Sequence, residues 1–422
     1  MATRTTHRLL YIVALVASGY VATGNSNEKQ LRSLVMSDGV TVAATIEALR
    51  SDWSIEVSAE GVTKSITATE YTLWGTYSDD DRSSQVLLTD DTVIVGDIVR
   101  IEDESVTLAS RLWGDVRIDR RLVRACLVLP AADPLDRDRQ WRSLRDDQAA
   151  DRVALVSNDA ISGRLLPTTE RDGGGLFGLV SIGIELPGGE VTTSVNVEEI
   201  SAISFRHRAP SASPTNCVLG FNDGSLISAS RLTRSESGLT EIVTASGASL
   251  QLSSDAIRER LTLLQPRNER VAYLSDLPAV GFKSIPFLQL EWPLGIATNT
   301  LGGRLRNDGK IVLKGLGMHS TSRVAYNLDG NYQSFQADLA LDDHAGDQGS
   351  VVYRVLVERT DESGAATWKL DFTSPIVRGG ELSLPVALDI TGATRMALIV
   401  EMADRVDTRD YANWLHARVV VN

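Results

Sequence analysis

Short apolar strands that end in tight turns are the feature that most constrains the fold of this chain. In one such strand Val106 and Leu108 alternate with Thr107 and Ala109, which is typical of a half-buried β-strand. Turns built from Asp, Asn and Gly tolerate positive φ and favour hairpins. This strand-and-turn pattern occurs four times in the chain, with turns at Asp38-Gly39, Asp90-Asp91, Asn158-Asp159 and Asn222-Asp223-Gly224.

The spacing of these turns predicts the size of the repeating unit. The turns lie roughly 50 to 70 residues apart, which is too long for one coil of a solenoid and suits a small five-stranded barrel. By pattern alone the units resemble SH3-like or Sm-like barrels, and a longer β-sandwich with the same turns is the alternative. We predict four β units at 28–76, 84–130, 151–206 and 215–266, with a charged linker or helix at 131–150.

The first residues predict a signal peptide rather than part of the fold. A basic stretch at Arg4, His7 and Arg8 precedes the apolar run 9–16, and the small residues 17–19 follow it. The apolar run is shorter than the roughly 20 residues that cross a bilayer. We therefore expect a signal peptide at 1–24, cleaved near 19 or 24, with no membrane span afterwards. The protein would then be secreted, periplasmic or in the cell envelope; an uncleaved N-terminal anchor is the alternative.

Charge and cysteine content exclude some partners. The net charge of -13 and the absence of a basic cluster argue against nucleic acid. Cys126 and Cys217 each lie in a strand-like apolar run and have no metal-ligand spacing. They could form one disulfide, but two buried free thiols are the favoured interpretation.

From about residue 270 the sequence carries more aromatic residues and a distinctive series of motifs. The most specific are the segment Lys314-Gly315-Leu316-Gly317-Met318-His319-Ser320 and the acidic stretch that leads to Ala412-Asn413-Trp414-Leu415. This order resembles the NPCBM/NEW2 family of carbohydrate-binding-type modules over residues 270–421. The resemblance implies a jelly-roll β-sandwich that binds sugar at loops on one end or edge. The expected fold is therefore all-β: tandem small β-barrel-like units followed by a C-terminal jelly-roll β-sandwich at 270–422.

Sugar sites combine an aromatic ring, which stacks on the apolar face of a pyranose, with polar groups that bind its hydroxyls. Trp414 is the first candidate for the stacking ring, with Asp410 and Asn413 beside it. His319, in the glycine-rich motif, and Arg323 are further candidates. In the alternative interpretation Trp414 and Trp292 belong to the core, and His319 satisfies a buried carbonyl group.

Asp342, Asp343 and Asp347 lie close together in sequence and could hold a structural calcium ion, which prefers oxygen ligands. A solvated acidic loop is the alternative. No other cofactor is expected.

No sequence motif points to catalysis. The chain has no Gly-x-Ser-x-Gly elbow, no His-Glu-x-x-His motif and no βαβ alternation. We therefore expect a non-catalytic protein that binds carbohydrate through its C-terminal module, with the β units as spacer or scaffold. The alternative is an extracytoplasmic adhesion or scaffold protein that acts through contacts with other envelope or extracellular proteins and binds no sugar.

Overall fold

The structure, a computed structural model, describes residues 31–59, 61–145, 149–168, 181–189, 191–206, 212–235, 238–285, 291–360 and 364–421. The expected signal peptide lies outside these residues. The described chain is built mainly from antiparallel β-strands with two short α-helices, which confirms the all-β prediction. No helix in the described part is long and apolar enough to cross a membrane.

The described residues of the N-terminal part form twenty-one strands in four consecutive groups. The first group is β1 (Arg32–Met36), β2 (Thr41–Leu49), β3 (Ile55–Ala59), β4 (Val62–Ile66) and β5 (Tyr71–Gly75). The second is β6 (Gln85–Leu88), β7 (Val93–Val95), β8 (Asp97–Ile101), β9 (Ser105–Ser110), β10 (Gly114–Asp119) and β11 (Val123–Leu127), followed by helix α1 (Pro134–Arg145). The third is β12 (Asp151–Leu155), β13 (Ala160–Leu165), β14 (Ser181–Glu185), β15 (Thr192–Asn196) and β16 (Ile200–Ser204). The fourth is β17 (Cys217–Phe221), β18 (Leu226–Arg234), β19 (Leu239–Thr244), β20 (Ser249–Ser253), helix α2 (Ser254–Arg260) and β21 (Leu261–Pro266).

The four groups share one pairing scheme. Within each group the first strand pairs with the last as well as with the second. All four predicted turns lie between the first two strands of a group. Two turn residues, Asp91 and Asn158, have positive φ, as such hairpins require. This pairing agrees with small barrel-like units, although β8, β9 and β10 of the second group form a sheet of their own. The exact unit boundaries stay a prediction.

The four groups are hydrogen-bonded to one another and are not independent units joined only by linkers. β11 pairs with β16, β5 with β21, and β7 with β18, so strands of different groups form one continuous hydrogen-bonded sheet. One buried apolar cluster extends from Leu34 to Leu264. Cys126 and Cys217 are buried in it as free thiols, as expected.

The C-terminal part is a sandwich of two sheets around a separate apolar core. The first sheet has the order β24-β27-β35-β29-β33, with β22 beside β35. The second has the order β23-β28-β34-β30-β31, with β32 beside β30, and β25 and β26 form a separate hairpin. The strands are β22 (Val271–Tyr273), β23 (Gly281–Ser284), β24 (Gly295–Ile296), β25 (Leu305–Asn307), β26 (Lys310–Val312), β27 (Gly315–His319), β28 (Ser322–Asn327), β29 (Ser334–Leu341), β30 (Ser350–Thr360), β31 (Ala366–Thr373), β32 (Val377–Arg378), β33 (Leu384–Asp389), β34 (Ala393–Met402) and β35 (Tyr411–Val420).

A cluster of five charged side chains, four of them buried and Arg304 partly exposed, joins the N-terminal strands to the sandwich. Asp79 comes from the segment between β5 and β6, Arg137 and Asp138 from α1, and Arg304 and Arg306 from the start of the β25–β26 hairpin. Arg306 Nη1 donates to Asp79 Oδ1 at 3.0 Å, and its Nε donates to Asp138 Oδ2 at 3.0 Å. Arg137 Nε donates to Asp79 at 2.9 Å, and Arg304 Nε to Asp138 at 2.6 Å. Helix α1, which lies in the segment expected to be a charged linker or helix, therefore supplies part of a domain interface.

The cluster keeps its members charged. Burial by itself would raise the pKa of Asp79, but the charge of Arg304 and hydrogen bonds from Arg306 and Arg137 lower it far below its ordinary value. Burial would lower the pKa of Arg306, whereas its hydrogen bonds to Asp138 and Asp79 raise it above the ordinary value. Each buried charge thus depends on partners from another part of the chain.

Apolar and neutral polar contacts extend the same interface. Ile311 N donates to Tyr77 O at 2.8 Å, and the two side chains share a small apolar cluster with Leu73 and Leu263. The amide of Asn268 donates to Ser37 Oγ at 2.9 Å, within the first strand group. The sandwich is therefore docked on the N-terminal strands rather than only tethered to them.

We expect Arg306→Met to lower the free energy of unfolding by about 3–5 kcal/mol, because it leaves Asp79 and Asp138 buried with fewer partners. Chemical denaturation of the full chain measures the change. Arg323→Met, which removes an exposed arginine of the same sandwich, is the matched control and should change stability by less than about 0.5 kcal/mol. Equal midpoints for the two variants would show that the charge cluster does not stabilise the protein.

Candidate carbohydrate site

The candidate site lies at the corner where the chain leaves the first sheet for the second. His319 is the last residue of β27, and it pairs with Tyr411, the first residue of β35. Ser322 begins β28 directly after the corner, and its Oγ donates to His319 O at 2.5 Å. The acidic segment that precedes β35 therefore lies beside the glycine-rich motif.

The glycines of that motif permit close packing of neighbouring backbone. Gly315 has φ +151°, and a Cβ there would lie 2.5 Å from Trp414 O. A Cβ on Gly317 would lie 2.5 Å from both Thr298 O and Asn299 Cα. Leu316 and Met318 alternate with the two glycines along the strand, and their side chains enter the sandwich core. The motif thus fixes β27 tightly against both neighbours, and with it the position of His319.

Three rings form the centre of the site, which we call the ring cluster: Trp292, His319 and Tyr411. The indole of Trp292 stacks on the imidazole of His319, with ring centroids 4.4 Å apart and planes inclined by 7°. Tyr411 meets Trp292 edge-on at 5.8 Å. His319 is buried beneath, whereas Trp292 and Tyr411 are only half-buried. The cluster therefore presents a rigidly supported, partly exposed aromatic surface.

The protonation state of His319 follows from its contacts. Its Nδ1 lies 2.7 Å from Ser320 O, and a carbonyl can only accept, so Nδ1 carries the proton. Burial lowers the pKa of His319, although the hydrogen bond to Ser320 and the charge of Asp407 oppose that effect. The ring is therefore neutral at pH 7. Within the described residues, Asp407 itself has no hydrogen bond or ion pair and is half-exposed, so its carboxylate is available to a ligand.

Asp410 holds the loops around the ring cluster in place. It is fully buried; its Oδ2 accepts from Ser320 Oγ at 2.5 Å and its Oδ1 from Ser350 N at 2.8 Å. Burial raises the pKa of Asp410 to about 6, with the nearby Asp407 charge acting in the same direction. Asp410 was a sugar-binding candidate, but its oxygens are occupied by these contacts. It acts by positioning the corner.

Two sequence candidates lie in the interior. Trp414 is fully buried and packs edge-on against Tyr353 with centroids 5.0 Å apart, and also against Phe335. A ring enclosed in this way cannot stack on a sugar, so Trp414 belongs to the core. Asn413 is also fully buried, and its Nδ2 donates to Asp342 Oδ2 at 2.7 Å. Neither side chain reaches a ligand surface.

Arg323 is exposed in β28, and in the described structure it makes no hydrogen bond to the ring cluster. Its neighbour Ser322 is buried on the other side of the strand. Arg323 therefore faces away from the core on the outside of the second sheet.

The proposed calcium ligands do not converge. Asp342 is fully buried, and its oxygens accept from Arg306 N at 3.0 Å, from Asn413 and from His344. Asp343 accepts instead from the backbone of Asp308 and Gly309 in the β25–β26 turn. Among the described residues, no group of three or more His, Cys, Asp or Glu side chains is arranged to hold a metal ion.

The sequence interpretation missed two members of the ring cluster. Trp292 was assigned to the core, and Tyr411 was not singled out. A signal existed for Tyr411, because it directly precedes the Ala-Asn-Trp motif and therefore begins the strand that pairs with the His319 motif. For Trp292 the sequence shows only a Trp-Pro pair, which does not reveal contact with a residue so far along the chain.

The C-terminal part is thus a two-sheet β-sandwich with a partly exposed aromatic ring near a carboxylate that has no partner among the described residues. The family model NPCBM/NEW2 domain matches residues 270–420, which confirms the resemblance seen in the sequence.

Comparison with known proteins gives distant relatives. A protein named "Putative endo-alpha-N-acetylgalactosaminidase" from Renibacterium salmoninarum is 24% identical over 148 residues, which is 35% of this chain and 9% of that protein. The chain thus matches only a small part of that relative. Two solved structures come from Clostridium perfringens. CBM51-2 with the INT domains of ZmpB, in complex with GlcNAc, is 20% identical, with TM-score 0.31 over 43% of this chain and 36% of that one. The CBM51 of GH95 with methyl-galactose is 19% identical, with TM-score 0.30 over 36% of this chain and 99% of that one.

We expect Asp410→Asn to change how stability depends on pH. With its raised pKa of about 6, the Asp410 carboxyl binds a proton more tightly in the folded chain than in the unfolded chain, where its pKa is about 4. Its contribution to the free energy of unfolding is therefore complete below about pH 4 and is lost as the pH rises through about 6.

Chemical denaturation of the wild type and of Asp410→Asn between about pH 4 and pH 7 tests this linkage. The wild type should lose stability relative to the variant as the pH rises. A constant difference between the two across that range would mean that Asp410 does not titrate there.

Proposed function

We propose that the C-terminal module binds carbohydrate at the ring cluster. The observation that carries this proposal is the partly exposed indole of Trp292, stacked on the neutral imidazole of His319 at 4.4 Å. A pyranose has an apolar C–H face and a rim of hydroxyls. The indole offers a surface for the C–H face, and the free carboxylate of Asp407 accepts from the hydroxyls.

The rigidity of the site supports the same function. Tyr411 and His319 are fixed by strand pairing, and Asp410 holds the neighbouring loops. Binding then requires little reordering of the protein, which matters for weak ligands such as single sugar residues. The match to the NPCBM/NEW2 domain model over 270–420 supports glycan binding by this part of the chain.

We also propose that the protein is exported and non-catalytic, with the N-terminal β units as its scaffold. The basic and apolar N-terminal sequence supports export. The ring cluster offers one free carboxylate, Asp407, whereas glycoside hydrolysis normally uses a pair of carboxyl groups on either side of the bond. The site is thus better suited to holding a sugar than to cleaving one.

A second candidate function is protein binding without sugar, and one observation favours it. Trp368 and Leu370 project from β31, the edge strand of the second sheet, with 41% and 46% of their surface exposed. Exposed apolar side chains on an edge strand are common at protein contacts. This surface is separate from the ring cluster, so the two functions can be tested independently.

We expect Trp292→Ala to weaken sugar binding by at least about 30-fold, because loss of a central aromatic contact costs about 2 kcal/mol. A glycan array with the full chain identifies the ligand; N-acetylglucosamine and methyl galactoside, found with the two clostridial modules, are the first probes. Isothermal titration calorimetry then compares the variants. Near-ultraviolet circular dichroism confirms that each variant is folded.

Trp368→Ala is the matched control, since it removes a partly exposed tryptophan of the same module at a different surface. It should leave sugar affinity unchanged. Undiminished binding by a folded Trp292→Ala variant would rule out the ring cluster, and failure of the wild type to bind any glycan would favour the protein-binding function.

A further inference from the structure

The sandwich also has an open cavity, at the end opposite to the ring cluster. It has a volume of about 510 Å³ and lies between the segment that precedes β23 and the turn that joins β28 to β29. Strand β28 runs from Ser322, beside His319, to Asn327, which lines the cavity. At about 3.4 Å per residue the two ends of this strand are about 17 Å apart. One sugar residue cannot occupy both places.

The walls of this cavity are held by the sheets. Val280 N donates to Ala325 O at 2.8 Å, which fixes one wall to β28. On the other wall, Leu328 N donates to Thr394 O and Gly330 N to Ala393 O, both at 2.9 Å. Tyr332 follows this turn and packs its half-buried ring against the sandwich core. The cavity is therefore present before any ligand arrives.

The chemistry of the lining combines an aromatic ring with uncommitted polar groups. Tyr332 and Val280 supply apolar surface. Asn327, Asp329 and Asn331 also line the cavity, and within the described residues their side chains have no hydrogen-bond or ion-pair partner. Amides both donate and accept, and the carboxylate accepts, so the three together match the hydroxyls of a sugar.

We propose that this cavity is a second carbohydrate site, specific for a neutral sugar residue. The single carboxylate of Asp329 disfavours anionic sugars, and no cationic side chain lines the cavity in the described structure. The volume is large enough for one or two sugar residues. With sites at both ends, the module binds two glycan branches or two chains at once, and linkage of two weak sites increases avidity. The second site goes beyond the proposed function and does not require the ring cluster to bind sugar; only the avidity of the two sites together rests on the proposed function.

Fluorine NMR of the full chain labelled with 3-fluorotyrosine tests both sites in one experiment, because each contains a tyrosine. The Tyr411 signal reports on the ring cluster, and the Tyr332 signal reports on this cavity. The variants Tyr411→Phe and Tyr332→Phe assign the two signals. The probes are methyl galactoside, methyl glucoside and N-acetylglucosamine, each titrated to about 100 mM to detect weak binding. We expect the Tyr332 signal to move saturably with at least one probe, and to do so equally in Trp292→Ala.

Asn331→Ala should raise the dissociation constant measured from the Tyr332 signal by about tenfold, because it removes one good hydrogen bond to the ligand. Gln333→Ala, at an exposed residue of the same turn that does not line the cavity, is the matched control and should bind as the wild type does. A Tyr332 signal that stays fixed with all three probes would overturn the proposal. So would a response that disappears in Trp292→Ala, since it would then only report binding at the ring cluster.

Discussion

A cluster of five charges, four of them buried, lies between the N-terminal strands and the sandwich and determines how the parts of this protein fit together. Asp79 and Asp138 lie in the N-terminal part, and Arg306 enters from the β25–β26 hairpin to bind both. A buried charge is tolerated only where its partners are in place, so the cluster favours one docking geometry over others. The apolar contact of Tyr77 with Ile311 adds stability at the same interface without adding specificity.

The interface is also connected to the candidate site by direct contacts. Arg306 N donates to Asp342 Oδ2 at 3.0 Å, and Asp342 N donates to Tyr411 O at 2.8 Å. Only Asp342 therefore separates the charge cluster from a ring that faces the proposed ligand. The hairpin that carries Arg306 packs Leu305 against Leu415 and so covers the outside of the first sheet. Away from this covered face, Trp292 and Tyr411 are partly exposed and Trp368 has 41% of its surface exposed.

The sequence predicted local structure better than it predicted contacts. Turns such as Asp90-Asp91 and the alternation around Val106 and Leu108 depend on neighbouring residues, and both were located correctly. The position of Trp414 depends instead on what covers β35, and β35 is buried on both faces by the core and the β25–β26 hairpin. The polar residues near Trp414 suggested that its ring is exposed. Asn413 instead hydrogen-bonds Asp342, and Asp410 hydrogen-bonds the loops. Trp292 stacks on a residue distant in sequence, and no local pattern encodes that contact.

We expect the charge cluster to hold the sandwich in one orientation on the N-terminal strands. Double electron–electron resonance between spin labels at Val156→Cys and Leu382→Cys tests it directly, because both positions are well exposed and the native cysteines are buried. A rigid interface predicts one narrow distance distribution, which should broaden when Arg306→Met is added. A broad distribution in the chain with Arg306 intact would contradict this account, because it would mean that the sandwich moves freely on a linker.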